Sequence, residues 1–135
     1  MAAVAKKQTR HWRDYRTVGG GRPVKSFLDA LTDEEVASIV AGMKDVVERG
    51  HVAAKHLRGD IYEVRADAAT RSFRILFSTE GSYSQVLLSL SAFEKRTQMT
   101  PRREVELAEN RLRDWRVRGA TKKKAGTKSK KRELG

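Results

Sequence analysis

The sequence predicts an α+β domain: a small antiparallel sheet of about four strands, an N-terminal helical hairpin, a C-terminal helix and a disordered basic tail. Three observations predict it. Three strand-like segments, joined by short turns, follow one another between Ile61 and Phe93. Residues 23–50 carry apolar side chains at helical spacing. From Gly119 onward the chain is mostly Lys, Gly, Ala, Thr and Ser, with little to bury.

Taken in order, His11–Thr17 alternates weakly and is read as a first strand. Gly19-Gly20-Gly21 then breaks the pattern. The glycines lack the Lys-Ser/Thr pair and the apolar strand of a phosphate loop, so they read as a connector. Pro23 suits a first helical turn, and Val24, Phe27, Leu28 and Leu31 give a short amphipathic helix over residues 23–31. Thr32 and Glu35 form an S/T-x-x-E capping box. Behind it, Val36, Ile39, Val40, Met43, Val46 and Val47 make a continuous stripe, closed by Gly50.

The sheet follows. Ile61–Ala66 places Tyr62 and Val64 on one face and Glu63 and Arg65 on the other. Ser72–Ser78 puts Phe73, Ile75 and Phe77 opposite Arg74, and Val86–Phe93 is almost wholly apolar. One face is therefore expected to be buried and the other to carry Arg65, Arg74 and Glu63. Thr100 and Pro101 read as the start of a helix through Arg116, with Val105, Ala108, Leu112 and Trp115 on one stripe. The expected division is a folded domain over residues 10–117 and a disordered tail over 118–135, which cannot offset its ordering entropy.

With 135 residues the chain has room for one core. Its formal charge is +12, and eight Lys or Arg with no acid lie between Arg118 and Arg132. Residues 1–117 keep 21 basic and 16 acidic residues, so the folded part is basic in its own right. That balance favours a polyanionic partner, a nucleic acid or an acidic protein. No segment approaches the ~20 apolar residues of a membrane-spanning helix, and MAAVAKK has no signal-peptide core, so no membrane partner and a cytoplasmic location are expected. Without cysteine there is no disulfide, thiol nucleophile or thiolate metal site.

His11, His51 and His56 have no partners at metal-ligand spacing and read as ordinary histidines; His56, between Lys55 and Arg58, is the one beside a basic run. Glu63 reads as an ion-pair partner for Arg65, two residues on. Asp60, Glu63 and Asp67 are surrounded by Arg58, Arg65 and Arg71, which disfavours a bound cation, so neither metal nor cofactor is expected. What stands out is a basic set from separate segments: Lys55, Arg58, Arg65, Arg74, Lys95 and Arg96. An RNA phosphodiester can be cut by its own 2′-hydroxyl, given a proton acceptor, a proton donor and cations for the phosphorane-like oxygens. Arg and Lys supply the charge, and a Lys crowded by cations can serve as base.

The run Lys55-His56-Leu57-Arg58-Gly59-Asp60-Ile61-Tyr62-Glu63-Val64-Arg65 is followed by Phe73-Arg74-Ile75-Leu76-Phe77. Leu87–Phe93 with Glu94-Lys95-Arg96-Thr97-Gln98 comes next, then Thr100-Pro101 and a helix. In this order the motifs resemble the RelE/ParE toxin superfamily, in its phage-derived Gp49-like, HigB-type branch. The resemblance implies a RelE-like fold and a type II toxin that enters the ribosomal A site and cuts mRNA without metal. It also implies a small helix-turn-helix antitoxin that holds the toxin inactive in a toxin–antitoxin hetero-oligomer. By position, Arg65 and Arg74 would stabilise the scissile phosphate, and Lys95 and Arg96 would be cationic or acid–base participants. Lys55 would be a phosphate contact or general base, with Arg58, Arg96, His56 and Arg71 as RNA contacts. In the tail, Lys122, Lys123 and Lys124 would bind rRNA phosphates in a salt-dependent way.

Three positions depart from the family pattern. Lys95-Arg96 stands where Lys-Lys is common, Phe73 replaces a frequent Tyr, and the family's C-terminal catalytic Tyr or His has no counterpart. Two alternatives use the same residues: a ParE-like inhibitor of DNA gyrase that cleaves nothing, and a non-catalytic nucleic-acid-binding protein driven by the tail. A gyrase inhibitor has no need of the Lys55/Arg65/Arg74/Lys95 cluster, which favours RNA cleavage.

Overall fold

The computed structural model describes the backbone of residues 9–134 and the side chains of residues 9–120. Strand β1 (His11–Asp14) is followed by helices α1 (Pro23–Asp29) and α2 (Asp33–Arg49) and a 3₁₀ turn (Gly50–Ala53). Then come β2 (Lys55–Arg58), β3 (Ile61–Asp67), β4 (Ser72–Glu80), β5 (Val86–Glu94) and α3 (Arg102–Leu134). The sheet has five strands in the order β1-β5-β4-β3-β2. It is mixed, because β1 pairs parallel with β5 while the other neighbours are antiparallel.

This corrects the four-stranded antiparallel expectation in two places. Lys55–Arg58 is itself an edge strand, although four residues with three Lys/His/Arg side chains carry no alternating apolar signal. β1 reaches β5 across the helical hairpin, and a parallel pairing needs such a crossover. The β2–β3 turn is a two-residue loop, Gly59-Asp60, with Gly59 at φ 52°. Glycine at the first loop position is what a type II′ hairpin requires.

The capping box is present as read: Thr32 Oγ1 accepts from the Glu35 amide at 3.2 Å, and Glu35 Oε1 accepts from the Thr32 amide at 3.0 Å. Gly50 ends α2 at φ 68°. The helix crosses β3 closely at Gly42, where an added Cβ would lie 3.0 Å from the Arg65 carbonyl oxygen.

Both faces of the sheet are covered, where the sequence pattern implied one. Ile39 and Val46 of α2 pack with Val64, Phe73, Ile75, Phe77 and Leu87 on one side. On the other, Val105, Ala108 and Leu112 of α3 pack with Ile61, Leu76, Leu88, Leu90 and Phe93. A bulge in β5 allows this. Leu76 pairs with Ser91 and Phe77 with Ser89, leaving Leu90 as the extra residue, so Leu88, Leu90 and Phe93 all face α3. The apolar run of β5 is thus the signature of a strand buried on both sides.

The backbone of α3 is helical from Arg102 through Leu134. Lys, Ala and Arg are good helix formers, and the helix is already nucleated by its packed first turns. No helix among the described residues is long and apolar enough to cross a membrane.

Candidate active site

Strand register assembles the basic set. Lys55 pairs with Glu63 across β2 and β3, Arg65 with Arg74 across β3 and β4, and Arg74 with Phe93 across β4 and β5. Lys95 follows β5, its amide bonded to the Ser72 carbonyl at 2.8 Å. Neighbouring strands lie roughly 4.8 Å apart, so four segments distant in sequence meet at one corner of the sheet. Lys55, Arg65, Arg74 and Lys95 line a cleft of about 440 Å³ there, with Glu63 as its carboxylate. The wall opposite is the 3₁₀ turn, through Val52, Ala53 and Ala54.

The two arginines differ in setting. Arg74 is 3 % exposed. Its Nη1 donates to the Phe73 carbonyl at 2.8 Å, its Nε lies 3.6 Å from Glu63 Oε1, and Asp67 Oδ1 is 3.7 Å from Nη1. A buried guanidinium is tolerable only with such partners. Glu63, also buried, accepts a short hydrogen bond from the Thr100 hydroxyl. Thr100 therefore ties the segment before α3 to the cleft floor, where the sequence pattern suggested a helix cap. Arg65 projects into solvent with 72 % of its side chain exposed, 3.5 Å from Asp67. The Glu63–Arg65 pair read from spacing is replaced: Glu63 holds Arg74, and Arg65 takes Asp67. Glu63 and Arg65 are two apart on β3, as are Arg65 and Asp67; Arg74 on the neighbouring strand takes Glu63, which leaves Arg65 to Asp67.

Lys55 is exposed and Lys95 half-buried; neither ammonium has an ion-pair partner among the described residues. Arg49, paired with Asp45 at 2.8 Å, and Gln98 complete the lining; neither is read as a site residue from its sequence position. The cleft thus offers three guanidinium groups, of which Arg74 is held rigidly, two lysine amino groups without ion-pair partners and one carboxylate. That arrangement can hold a phosphodiester and exchange protons with it. Among the described residues, no three His, Cys, Asp or Glu side chains are grouped as metal ligands.

Other residues of the expected set lie elsewhere. Arg58 clasps Glu109 of α3 in a two-pronged pair at 2.6 and 3.1 Å, which holds the Glu109 carboxyl below its ordinary range. Arg71 bridges Glu94 and Glu35 and lies over the Phe73 ring, pinning α2 to the sheet. His56 is on the opposite sheet face, tilted against Tyr62 and bonded to the Gly59 carbonyl at 2.8 Å. His51 stacks on the other side of Tyr62 at 4.1 Å. Arg96 is 80 % exposed and pairs with Glu94. The side chains of Lys122, Lys123 and Lys124 lie outside the described residues.

Residues 26–113 match the family described as phage-derived protein Gp49-like (DUF891). The chain belongs to the Gp49-like family. Two relatives are each called a probable endoribonuclease HigB1, from Mycobacterium tuberculosis strains CDC 1551 / Oshkosh and ATCC 25618 / H37Rv. Each is 36 % identical over 109 residues, covering 78 % of this chain and 84 % of the relative. The Gp49-like segment runs from α1 into α3 and contains every lining residue of the cleft; β1 lies outside it.

Proposed function

We propose that this Gp49-like protein is the toxin of a type II toxin–antitoxin pair and acts as an endoribonuclease on mRNA at the ribosome, without metal. The observation that carries the reading is the convergence of Lys55, Arg65, Arg74 and Lys95 around a single cleft. The HigB1 relatives' description as probable endoribonucleases supports it. The substrate's 2′-oxygen attacks the adjacent phosphorus and the bond to the 5′-oxygen breaks, giving a 2′,3′-cyclic phosphate and a 5′-hydroxyl. Charge accumulates on the non-bridging oxygens as this happens. Arg65 meets that charge directly, and Arg74 supplies a fixed positive field from the floor, oriented by Glu63 and the Phe73 carbonyl. Lys55, acting as its free amine, takes the 2′-hydroxyl proton and becomes an ammonium, while the Lys95 ammonium gives a proton to the leaving 5′-oxygen. On this reading the ribosome holds the messenger in the bent geometry that in-line attack requires. A cognate antitoxin that covers the cleft keeps the toxin silent.

The test is primer extension on mRNA incubated with ribosomes and the full chain in EDTA, comparing wild type with Arg65→Ala and Lys55→Met. Ribosome-dependent cuts that fall by two to three orders of magnitude in both variants are expected, the range for losing one transition-state donor. Intact mRNA under conditions where growth is blocked refutes the nuclease and makes gyrase supercoiling the next assay.

A further inference from the structure

We infer that the β1 edge carries a second RNA-contacting site, remote from the cleft, which takes single-stranded RNA through two phosphates and one stacked base. Its ligand class rests on the function proposed above; its residues do not overlap the cleft.

A pocket of about 660 Å³ opens between β1 and the exposed end of the packed part of α3. Arg13 and Arg16 contribute from β1 and the residues after it, and Trp115 and Arg118 from α3. Arg13 and Arg16 are exposed, and among the described residues neither guanidinium makes an ion pair or a hydrogen bond, although the Arg16 charge helps to lower the Asp14 carboxyl. Other arginines are engaged, Arg22, Arg58, Arg71 and Arg116 by acids and Arg10 and Arg111 by backbone carbonyls. The two acids near the pocket are already matched. Asp14 is held by Arg22 in a two-pronged pair at 2.7 and 2.8 Å, and Asp114 by Arg118 and the Tyr15 hydroxyl. The pocket's net charge is therefore that of Arg13 and Arg16.

The aromatic component is Trp115, half-buried against the α3-side core and lining the pocket. Cationic side chains beside an aromatic platform are the working parts of single-strand recognition, with stacking worth about 1–3 kcal/mol per base. Trp12 also borders the pocket, but its Nε1 donates to the Met43 carbonyl at 2.8 Å and its ring packs on Phe77, so it serves the core. A third observation is continuity. The pocket ends at Gly119, and the α3 backbone runs on from there through the lysine-rich segment to Leu134. The site is distinct from the cleft: α3 rises through 13 residues from Arg102 to Trp115, roughly 20 Å of helix.

The experiment measures binding, not cleavage. The full chain is titrated with a short fluorescein-labelled 2′-O-methyl oligoadenylate, which cannot be cut, over a range of salt. Anisotropy reports affinity and tryptophan emission reports stacking. Arg13→Ala/Arg16→Ala is expected to make the log–log salt slope shallower by about 1.4, the loss of two single-strand phosphate contacts. Trp115→Phe is expected to abolish RNA-induced quenching, since Trp12 is the other tryptophan and is committed to the core. Lys25→Ala/Lys44→Ala removes the same charge from α1 and α2. An unchanged slope, or an equal drop in this control, overturns the site. So does quenching that persists in Trp115→Phe, or an Arg13/Arg16 variant that binds RNA normally but no longer captures antitoxin. A protein that binds here but cuts nothing on ribosomes refutes the proposed function and leaves this inference standing.

Discussion

Replacing Glu63 by Gln removes the charge that holds Arg74 while keeping an oxygen for the Thr100 hydroxyl. The pair is nearly sealed, with side-chain exposures of 4 % for Arg74 and 5 % for Glu63, and Nε and Oε1 are 3.6 Å apart. At an effective dielectric of about 20 the attraction at that distance is about 5 kcal/mol. Asp67 recovers part of it, from 3.7 Å, but is itself 53 % exposed. Stranding a buried charge costs about 3–5 kcal/mol, and Asp67 places the expected loss near 3. Arg74→Met strands Glu63 instead and should cost a similar amount. The double variant strands neither charge, so it should lose about 3 kcal/mol less than the sum of the singles. Urea denaturation of the four proteins at neutral pH measures the cycle. A coupling below about 0.5 kcal/mol would show that Arg74 and Glu63 are independently solvated, and the rigid cleft floor would have no basis.

Gly42→Ala normally favours a helix by about 1 kcal/mol, yet here it should destabilise by about 1–3 kcal/mol, because the new Cβ meets the Arg65 carbonyl at 3.0 Å; the thermal midpoint decides the sign. Arg71→Met should lower stability by about 1 kcal/mol by unpinning Glu35 and Glu94, while RNA affinity at fixed salt stays at the wild-type value. Lys95→Met should leave the melting curve unchanged and reduce ribosome-dependent cleavage by about 10²–10⁴-fold, measured under single-turnover conditions. Stability should fall in acid. Arg22 lowers the Asp14 carboxyl, Arg71 and Arg96 lower Glu94, Arg58 lowers Glu109, and the Tyr15 hydroxyl and Arg118 lower Asp114. Each depressed carboxyl contributes stability that is complete above its unfolded value near pH 4 and is lost as pH falls through the lower folded value. Urea midpoints should therefore be flat from about pH 8 to 5 and drop below about pH 4; a drop between pH 7 and 5 would contradict this assignment.

Local chemistry made most elements legible. The Thr32/Glu35 box and Gly50 mark both ends of α2 because caps are short-range hydrogen bonds written in adjacent residues. Strict alternation in β4 placed Phe73, Ile75 and Phe77 on the buried α2 side and Arg74 on the other. The four cations of the cleft were also legible, through their place in an ordered set of motifs, and register brought them together. What spacing along one strand could not show is pairing between strands. Arg65 and Glu63 are two apart on β3, but Arg74 reaches Glu63 from β4, and Arg65 pairs with Asp67, two residues along its own strand in the other direction. The same limit hid β2, whose sole apolar residue is Leu57, and the parallel β1–β5 pairing, whose evidence is 75 residues away in the chain. It also hid the partners of Arg58, Arg71 and His56. A basic side chain near a motif reads as available until the fold supplies Glu109, Glu94 or Tyr62 to occupy it. The sequence by itself determined which segments are helix and strand and which residue types could meet a phosphate, because propensity, capping and alternation are local. Tertiary structure decided which of those cations remain unpaired and which are spent on acids, because ion pairing depends on distances of a few ångströms between segments that the chain order leaves unrelated.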